Sequence, residues 1–343
     1  MKEIQTYIKP GLRVHLVGVG GVSMAPLAEV LHGRGVKVTG SDLHESPAVE
    51  HLRSLGISVT IGHLPESVKR AGCVIRTAAV HDSNPEIAAA LEAGIPVFQR
   101  AQAWGAIMSH YKNALCVAGT HGKTTTTAMC THIFLAAGRD PSVMLGGTLP
   151  ILGAGHRVGQ GDTMIAESCE YCNSFLSFCP TVAVILNVEE DHLDFFRDLD
   201  DIKASFRRFA QLVPASGRVI LNGDDPGARG AAGDLNPFVF GLGEGVDCTA
   251  EGLTWERGLP AFDIAVHGEK YAHVSLSVGG LHNVSNALAA ASAAYVLGVP
   301  GPAVEKGLSA FTGAGRRFER KGMFRGAEVV DDYAHHPQEL RAL

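Results

Sequence analysis

A lysine and a hydroxyl follow two closely spaced glycines in the stretch from Gly119 to Thr124, Gly-Thr-His-Gly-Lys-Thr. An apolar run at residues 114–118 precedes it, and a threonine-rich segment compatible with a helix follows. Glycines let backbone N–H groups approach a phosphate chain, while the helix N-terminus and a lysine add positive charge. The order of strand, turn, lysine and hydroxyl therefore predicts an ATP site, although only two residues separate the glycines and the usual phosphate-binding loop has four.

The candidate ATP-binding residues of this loop are Gly119, Thr120, His121, Gly122, Lys123, Thr124 and Thr125. Read without its context, the stretch is also compatible with a glycine turn before a helix that contains a lysine. The register of strand, lysine and hydroxyl favours the nucleotide site.

Glu170 and His192 each follow an apolar strand, predicted at residues 164–166 and 181–186. Ligand sites of open parallel sheets lie beyond the carboxyl ends of the strands, so both side chains are expected to face the phosphate loop. Phosphoryl transfer from ATP needs Mg²⁺, for which we predict Thr124, Glu170 and His192 as ligands, with Glu167 as the alternative to Glu170. Lys123, Glu170 and His192 are the candidate catalytic residues. The other acidic residues between 187 and 194 fit a solvated loop.

A second glycine turn lies near the N-terminus, where a predicted strand at 13–19 ends in Gly-Val-Gly-Gly-Val-Ser and an acidic residue, Asp42, follows about twenty positions later. This is the layout of a dinucleotide-binding fold, except that Ser23 stands where the third glycine is expected. The match is therefore weak. It is compatible with NAD or with the diphosphate of another nucleotide.

The elements that position these residues alternate between strand and helix, which predicts an α/β protein. For 343 residues we expect a Rossmann-like parallel-sheet domain at 1–111, a central ATP-binding domain at 112–312, and the start only of a third Rossmann-like domain at 313–343. Short alternating segments within 235–280 predict a small accessory antiparallel sheet. The glycine-rich residues 146–161 are predicted to form a loop.

The net charge of −6, without a basic stripe, argues against a nucleic-acid partner. The polar start of the chain shows no secretory signal, and no apolar run is long enough for a membrane span, so we expect a cytoplasmic protein without a membrane partner. Seven scattered cysteines indicate reduced thiols, and the pair Cys169 and Cys172 lacks the partners of a zinc site.

Five motifs, in this order along the chain, resemble those of the Mur ligase family: residues 119–127, 187–194, 282–286, 315–319 and 331–337. The glycine turn at 18–24 is similar to that family as well. The resemblance covers the whole chain and implies ATP-dependent ligation of L-alanine to the carboxylate of UDP-N-acetylmuramate through an acyl phosphate, in peptidoglycan precursor synthesis.

The resemblance also implies roles for individual residues. Lys123 would contact the β- and γ-phosphates, Thr124 and Glu170 would hold one Mg²⁺, and His192 a second. Asn286 would contact adenine, while Arg317 and Asp332 would reach ATP. The residues implied for the UDP-sugar are Gly20, Gly21, Val22, Ser23, Asp42 and His121.

The sequence departs from the family at Cys169 and Cys172, where acidic residues are common beside Glu170. Because the third domain begins only at residue 313, most of the L-alanine site is expected to be missing and the isolated chain to be inactive. Two alternatives stay open, a ligase that adds a murein tripeptide to UDP-N-acetylmuramate and a non-catalytic module that binds UDP-sugar or ATP. Phosphate release with UDP-N-acetylmuramate and L-alanine would separate them.

Overall fold

The computed structural model describes residues 3–77, 79–233, 235–317, 319–334 and 340, without the side chains of Arg320 and Glu328. Phe318 and residues 335–337 of the motifs named above lie outside this part of the chain. The chain divides into two compact units, Met1–His110 with Ser177–Cys179, and Tyr111–Leu176 with Pro180–Leu343.

The first unit contains a five-stranded sheet in the order β3-β2-β1-β4-β5, in which every pair is parallel. The central strand β1 is buried after its first residue, which explains its continuous apolar sequence. The strands are Arg13–Val17, Lys37–Asp42, Ser58–Ile61, Cys73–Arg76 and Val97–Gln99, and the helices α1 to α4 are Met24–Gly33, Pro47–Ser54, Pro85–Glu92 and Arg100–Met108. This arrangement confirms the predicted Rossmann-like sheet.

The second unit is organised by a ten-stranded mixed sheet in the order β15-β14-β13-β12-β11-β10-β6-β9-β7-β8. Its strands β6 to β15 are Asn113–Ala118, Ser142–Leu149, Ala154–Arg157, Thr163–Glu167, Val182–Ile185, Arg218–Asn222, Phe238–Phe240, Cys248–Glu256, Leu259–Val266 and Glu269–Ser275. The helices α5 to α9 are Lys123–Ala136, Leu199–Ala210, Pro226–Ala232, Leu281–Val296 and Gly301–Ser309, and a separate hairpin joins β16, Glu319–Phe324, to β17, Ala327–Asp331. No helix among the described residues is both long and apolar enough to cross a bilayer.

Two sequence-based expectations about this sheet need correction. The antiparallel strands β13 to β15 are present, but they continue the central sheet, because Cys248 of β13 pairs in parallel with Phe240 of β12. The glycine-rich segment 146–161 is not wholly a loop, since β7 runs to Leu149 and pairs with β8. Glycine and polar content predicted a loop there, whereas pairing with neighbouring strands decided the conformation.

Helix α5 packs against α8 and α9 in the core of the second unit. The approach to α9 is close enough to require glycine, because a Cβ on Gly307 would lie 2.5 Å from Cα of Ile133. The C-terminal half of the helix that follows the phosphate loop is thus held by backbone-to-backbone packing against α9.

Gly307→Ala is expected to lower the free energy of unfolding by about 1–3 kcal/mol, because the two helices must separate to admit a methyl group. Gly230→Ala in α7 is the matched control, since its Cβ would meet only the Lys203 side chain at 3.6 Å. That variant should be neutral or stabilised by up to about 1 kcal/mol. Urea unfolding followed by circular dichroism measures both, and equal stabilities would contradict the described packing.

Candidate active site

The phosphate loop, residues 119–122, connects β6 to α5 in the second unit. Gly122 has a φ of +79°, and a Cβ there would lie 2.6 Å from Oδ1 of Asn286, so glycine is required. Asn187, beyond the end of β10, fixes the loop, because its Oδ1 accepts from the His121 N–H at 2.7 Å and its Nδ2 donates to the His121 carbonyl at 3.2 Å. The loop is therefore preorganised by a neighbouring strand end.

Lys123 lies in the first turn of α5 and its ammonium group is folded over the loop. Nζ donates to the carbonyls of Gly119 and Thr120 at 2.5 and 3.0 Å, and lies 3.1 and 3.2 Å from the two carboxylate oxygens of Glu170. Burial opposes the charged form of the lysine, but the nearby acidic side chains, chiefly Glu170, outweigh it and raise the pKa of Lys123. The ammonium group is thus charged at neutral pH and held beside a buried carboxylate.

Thr124, the predicted metal ligand beside Lys123, contacts Glu167 rather than Glu170. Its Oγ1 donates to Oε2 of Glu167 at 2.9 Å, and the same oxygen accepts from the Gly146 N–H at 2.7 Å. The two acidic residues thus contact different side chains: Glu170 contacts Lys123, and Glu167 contacts Thr124. The roles proposed for Thr124 and Glu170 at one metal ion stay predictions.

Glu170 and His192, the two other predicted metal ligands, come together with Asp191. One ligand atom from each of the three residues lies within 4.8 Å of those of the others. Two carboxylates and an imidazole, with the Thr124 hydroxyl on the adjacent helix turn, are a donor set that suits Mg²⁺ or Mn²⁺. Asp191 was not selected from the sequence, because it stands with three other acidic residues, Glu189, Glu190 and Asp194, in a stretch that fits a solvated loop equally well.

His192 is held in an uncommon conformation, with a φ of +52°. Its N–H donates to Oδ1 of Asp191 at 2.7 Å, and its ring lies 4.6 Å from that of Tyr171 between centroids. The Tyr171 hydroxyl donates to Asp194 at 2.9 Å, which raises the pKa of Tyr171 to about 12. Contacts on both sides thus fix the position of the imidazole.

The cysteines next to Glu170 take no part in a disulfide. All seven cysteines of the chain are free, and Cys169 and Cys172 are exposed. Neither belongs to the group of three potential metal ligands found among the described residues. The free cysteines agree with the prediction of reduced thiols.

The structure places Asn286, Arg317 and Asp332 in the second unit together with the phosphate loop. Asn286 lies on α8, buried, and accepts a hydrogen bond from Thr126 of α5 at 3.2 Å. The turn that carries Arg317 is attached to β7, where the Gly315 N–H donates to the Thr148 carbonyl at 2.8 Å.

Asp332 follows β17, and its Oδ1 accepts from the Ala334 N–H at 2.7 Å. Its charge also acts on His282 at the start of α8, where burial lowers the pKa of the imidazole and Asp332 opposes that shift. The contacts of Asp332 and Arg317 with ATP stay predictions.

The glycine turn of the first unit, residues 18–23, connects β1 to α1. The Gly20 N–H donates to Oδ2 of Asp42 at 2.8 Å, so the acidic residue found by its spacing holds the turn itself. Val22 is 76% exposed and Ser23 makes no capping hydrogen bond through its side chain, which leaves the outer part of the turn accessible. Gly20, Gly21, Val22 and Ser23 of this turn, together with Asp42, stay proposed contacts of the UDP-sugar.

A buried carboxylate lies behind this turn. Glu86, in the first turn of α3, is fully buried, and its Oε2 accepts from Ser41 at 2.5 Å and lies 3.2 Å from Nδ1 of His63 and 3.5 Å from Nε2 of His15. Oε1 accepts from the Leu64 N–H at 3.2 Å. Burial alone would raise the pKa of Glu86, but His15 and Ser41 together lower it below the usual value.

A carboxylate with a lowered pKa in the folded state stabilises that state above the unfolded pKa of about 4.3, and the stabilisation is lost as the pH falls through the folded pKa. Glu86→Gln should therefore lower the free energy of unfolding by about 2 kcal/mol at pH 7 and by less at pH 4. Urea unfolding at both pH values measures the difference. Glu92→Gln, an exposed position on the same helix, is the control; a pH-independent deficit for Glu86→Gln would contradict the assignment.

Comparison with known proteins identifies the class of this site. The sequence matches the Mur ligase family, catalytic domain, over residues 13–112, and the Mur ligase middle domain over residues 117–294. The chain belongs to the Mur ligase family, which confirms the resemblance found in its motifs.

Particular relatives narrow the class further. The chain is 44% identical to the UDP-N-acetylmuramate–L-alanine ligase of Clostridium novyi over 96% of its own length and 72% of the relative. Its structure matches the UDP-N-acetylmuramate–alanine ligase MurC of Thermotoga maritima with a TM-score of 0.82 at 30% identity, covering 96% of this chain and 76% of that one. A murein peptide ligase of Psychrobacter arcticus matches with a TM-score of 0.80 at 27% identity, covering 96% and 74%.

Proposed function

We propose that this chain forms the ATP-binding and UDP-sugar-binding part of an enzyme that uses ATP to ligate L-alanine to the carboxylate of UDP-N-acetylmuramate, a step of peptidoglycan precursor synthesis. The observation that supports it most directly is the contact of Lys123 with Glu170, which lies beside Asp191 and His192 at the phosphate loop of a Mur ligase chain. Curated relatives at 41–44% identity are named for this reaction, and among the solved structures the alanine ligase matches at 30% identity and the murein peptide ligases at 26–27%. The alanine ligase is therefore favoured over the tripeptide ligase.

The phosphate loop would bind the triphosphate of ATP through its backbone N–H groups and the N-terminus of α5. In the structure, Lys123 contacts two backbone carbonyls and Glu170. With ATP bound it would turn to the β- and γ-phosphates, where its positive charge would stabilise the negative charge that develops in phosphoryl transfer. The product of this step is an acyl phosphate of the muramoyl carboxylate. Attack by the amino group of L-alanine then forms the amide and releases phosphate.

Mg²⁺ is the metal that the donor set fits, with Glu170, Asp191 and His192 as the residues that would hold it and Thr124 adjacent. When bound, it would neutralise charge on the phosphate oxygens. Asn187 and Tyr171 would keep the loop and the imidazole in place without contacting the reacting atoms. Asn286, Arg317 and Asp332 are proposed to contact the nucleotide.

The glycine turn of the first unit would bind the diphosphate of the UDP-sugar, which explains why the turn departs from the dinucleotide pattern at Ser23. Asp42 would hold the turn, and His121 is proposed to face the sugar. The proposed cofactors are ATP and Mg²⁺, and the proposed partners are the small molecules UDP-N-acetylmuramate and L-alanine. A cytoplasmic location is proposed from the family's substrates.

Isothermal titration calorimetry of the chain with Mg·ATP and with UDP-N-acetylmuramate tests the two binding functions separately. Phosphate release by the full-length enzyme that requires ATP, UDP-N-acetylmuramate and L-alanine together tests the reaction, and the isolated chain is expected to release none. L-alanyl-γ-D-glutamyl-meso-diaminopimelate in place of L-alanine tests the tripeptide ligase. Binding of NADH in place of UDP-N-acetylmuramate would contradict the proposal for the first unit.

A further inference from the structure

The buried carboxylate of the first unit is connected to the glycine turn through one residue, Ser41. The Ser41 hydroxyl donates to Glu86, and the Ser41 carbonyl accepts from the N–H groups of Gly18 and Val19, each at 2.9 Å. The next residue, Asp42, accepts from the Gly20 N–H. Three consecutive N–H groups of the turn are thus held by the last two residues of β2, and β2 is held there by Glu86.

The hydrogen-bond donors around Glu86 fix the direction of the hydrogen bonds in this network. A carboxylate only accepts, and the single hydroxyl proton of Ser41 is directed to it. Nδ1 of His63, 3.0 Å from the Ser41 oxygen and 3.2 Å from Glu86, must therefore carry a proton, an assignment that follows from the hydrogen-bond network. With the Leu64 N–H on Oε1, both oxygens of Glu86 are occupied by donors.

We infer that Glu86 is a positioning residue for diphosphate recognition, acting through Ser41 on the glycine turn. The inference rests on the proposed function, in which this turn binds the diphosphate of a UDP-sugar. The N–H groups held by Ser41 and Asp42 are already used within the fold, so they do not bind the anion themselves. They fix the path of the turn and orient the N–H groups that follow, which would bind the diphosphate without the cost of ordering them. Binding of the uridine base and of ATP does not depend on this network.

Replacing Glu86 by glutamine keeps the shape and removes this function. Because both oxygens accept hydrogen bonds, the glutamine NH₂ either faces the Leu64 N–H, which cannot accept, or faces Ser41 and His63. On that side it fits only if the Ser41 hydroxyl turns away from it and His63 changes tautomer. Ser41→Ala removes the connection from the other side and leaves the carboxylate in place. The two substitutions interrupt the same path at different points.

Calorimetry with UDP, with uridine in competition, and with Mg·ATP distinguishes positioning from general stability. Glu86→Gln is expected to weaken UDP binding about tenfold, with uridine and Mg·ATP affinities within about twofold of the unsubstituted chain. Ser41→Ala should show the same selective loss, and the double variant should bind UDP no more weakly than Glu86→Gln. The exposed Glu92→Gln should bind UDP normally.

Unchanged UDP affinity in a folded Glu86→Gln protein would overturn the inference, and so would parallel losses for UDP and uridine. If Glu86→Gln fails to fold, Ser41→Ala decides by the same two criteria. If the unsubstituted chain binds Mg·ATP but not UDP, the proposed function of the first unit fails and the inference fails with it. If the unsubstituted chain binds UDP and the Glu86 and Ser41 variants bind it with the same affinity, the proposed function stands and only the role of Glu86 is rejected.

Discussion

Lys123→Ala is expected to weaken Mg·ATP binding about 100-fold and, in the full-length enzyme, to abolish ATP turnover, while UDP-N-acetylmuramate binding stays within about twofold. The ammonium group is half-buried at the start of α5 and is the charged donor nearest to Glu170 among the described residues. Without it, the triphosphate loses a fixed positive charge and meets an uncompensated carboxylate. Calorimetry with Mg·ATP and with UDP-N-acetylmuramate measures the two effects in one protein.

The same substitution has an opposite effect on the metal alone. Because Lys123 neutralises Glu170 in the absence of ligand, its removal should leave Mn²⁺ binding, measured by electron paramagnetic resonance without nucleotide, equal or tighter. Lys112→Ala, at an exposed lysine before β6, is the control and should change neither affinity. Normal ATP turnover in Lys123→Ala would refute the assignment of the loop, and weaker Mn²⁺ binding would refute the described contact with Glu170.

Glu170→Gln is expected to weaken nucleotide-free Mn²⁺ binding by about tenfold or more and, in the full-length enzyme, to lower ATP turnover by about 100-fold or more. The substitution would remove a charged oxygen from the proposed metal site, whose metal would contribute several kcal/mol to phosphoryl transfer. Raising the Mg²⁺ concentration should restore part of the turnover. Titrations of Mn²⁺ by electron paramagnetic resonance and of phosphate release against Mg²⁺ measure the two quantities.

Substitutions of two neighbouring acidic residues distinguish direct coordination of the metal from attraction by the overall negative charge. Asp191→Asn should weaken Mn²⁺ binding in the same direction, because Asp191 lies in the group with Glu170 and His192. Glu190→Gln, which removes an equal charge from an exposed side chain in the same stretch, should leave binding within about twofold. Equal losses in Glu170→Gln and Glu190→Gln would show that only the overall negative potential attracts the metal.

The sequence was sufficient for the strand–turn–helix geometry of residues 113–136, because that geometry depends on neighbours along the chain. Glycines, a lysine and a hydroxyl at fixed spacing between an apolar strand and a helix define that turn. Alternation of strands and helices likewise defined the parallel sheet of the first unit, and strand ends predicted that Glu170 and His192 would come together. In the structure the Lys123 ammonium group contacts Glu170, and Glu170 lies beside His192, as the positions of the strand ends predicted.

The tertiary structure decided what depends on contacts between distant segments. Spacing could not select Asp191 from an acidic stretch, nor show that Thr124 contacts Glu167, because strand register and the hairpin of β7 and β8 set those distances. The glycine-rich appearance of 146–161 concealed that hairpin.

Glu86 is the clearest case of this limit. Along the chain it is an ordinary acidic residue in the first turn of a helix, and only folding brings it to Ser41, 45 positions away, with His15 and His63 around it. Chemistry that resides in a short segment can be read from residue order, whereas burial and hydrogen bonding between strands arise only when the sheet assembles.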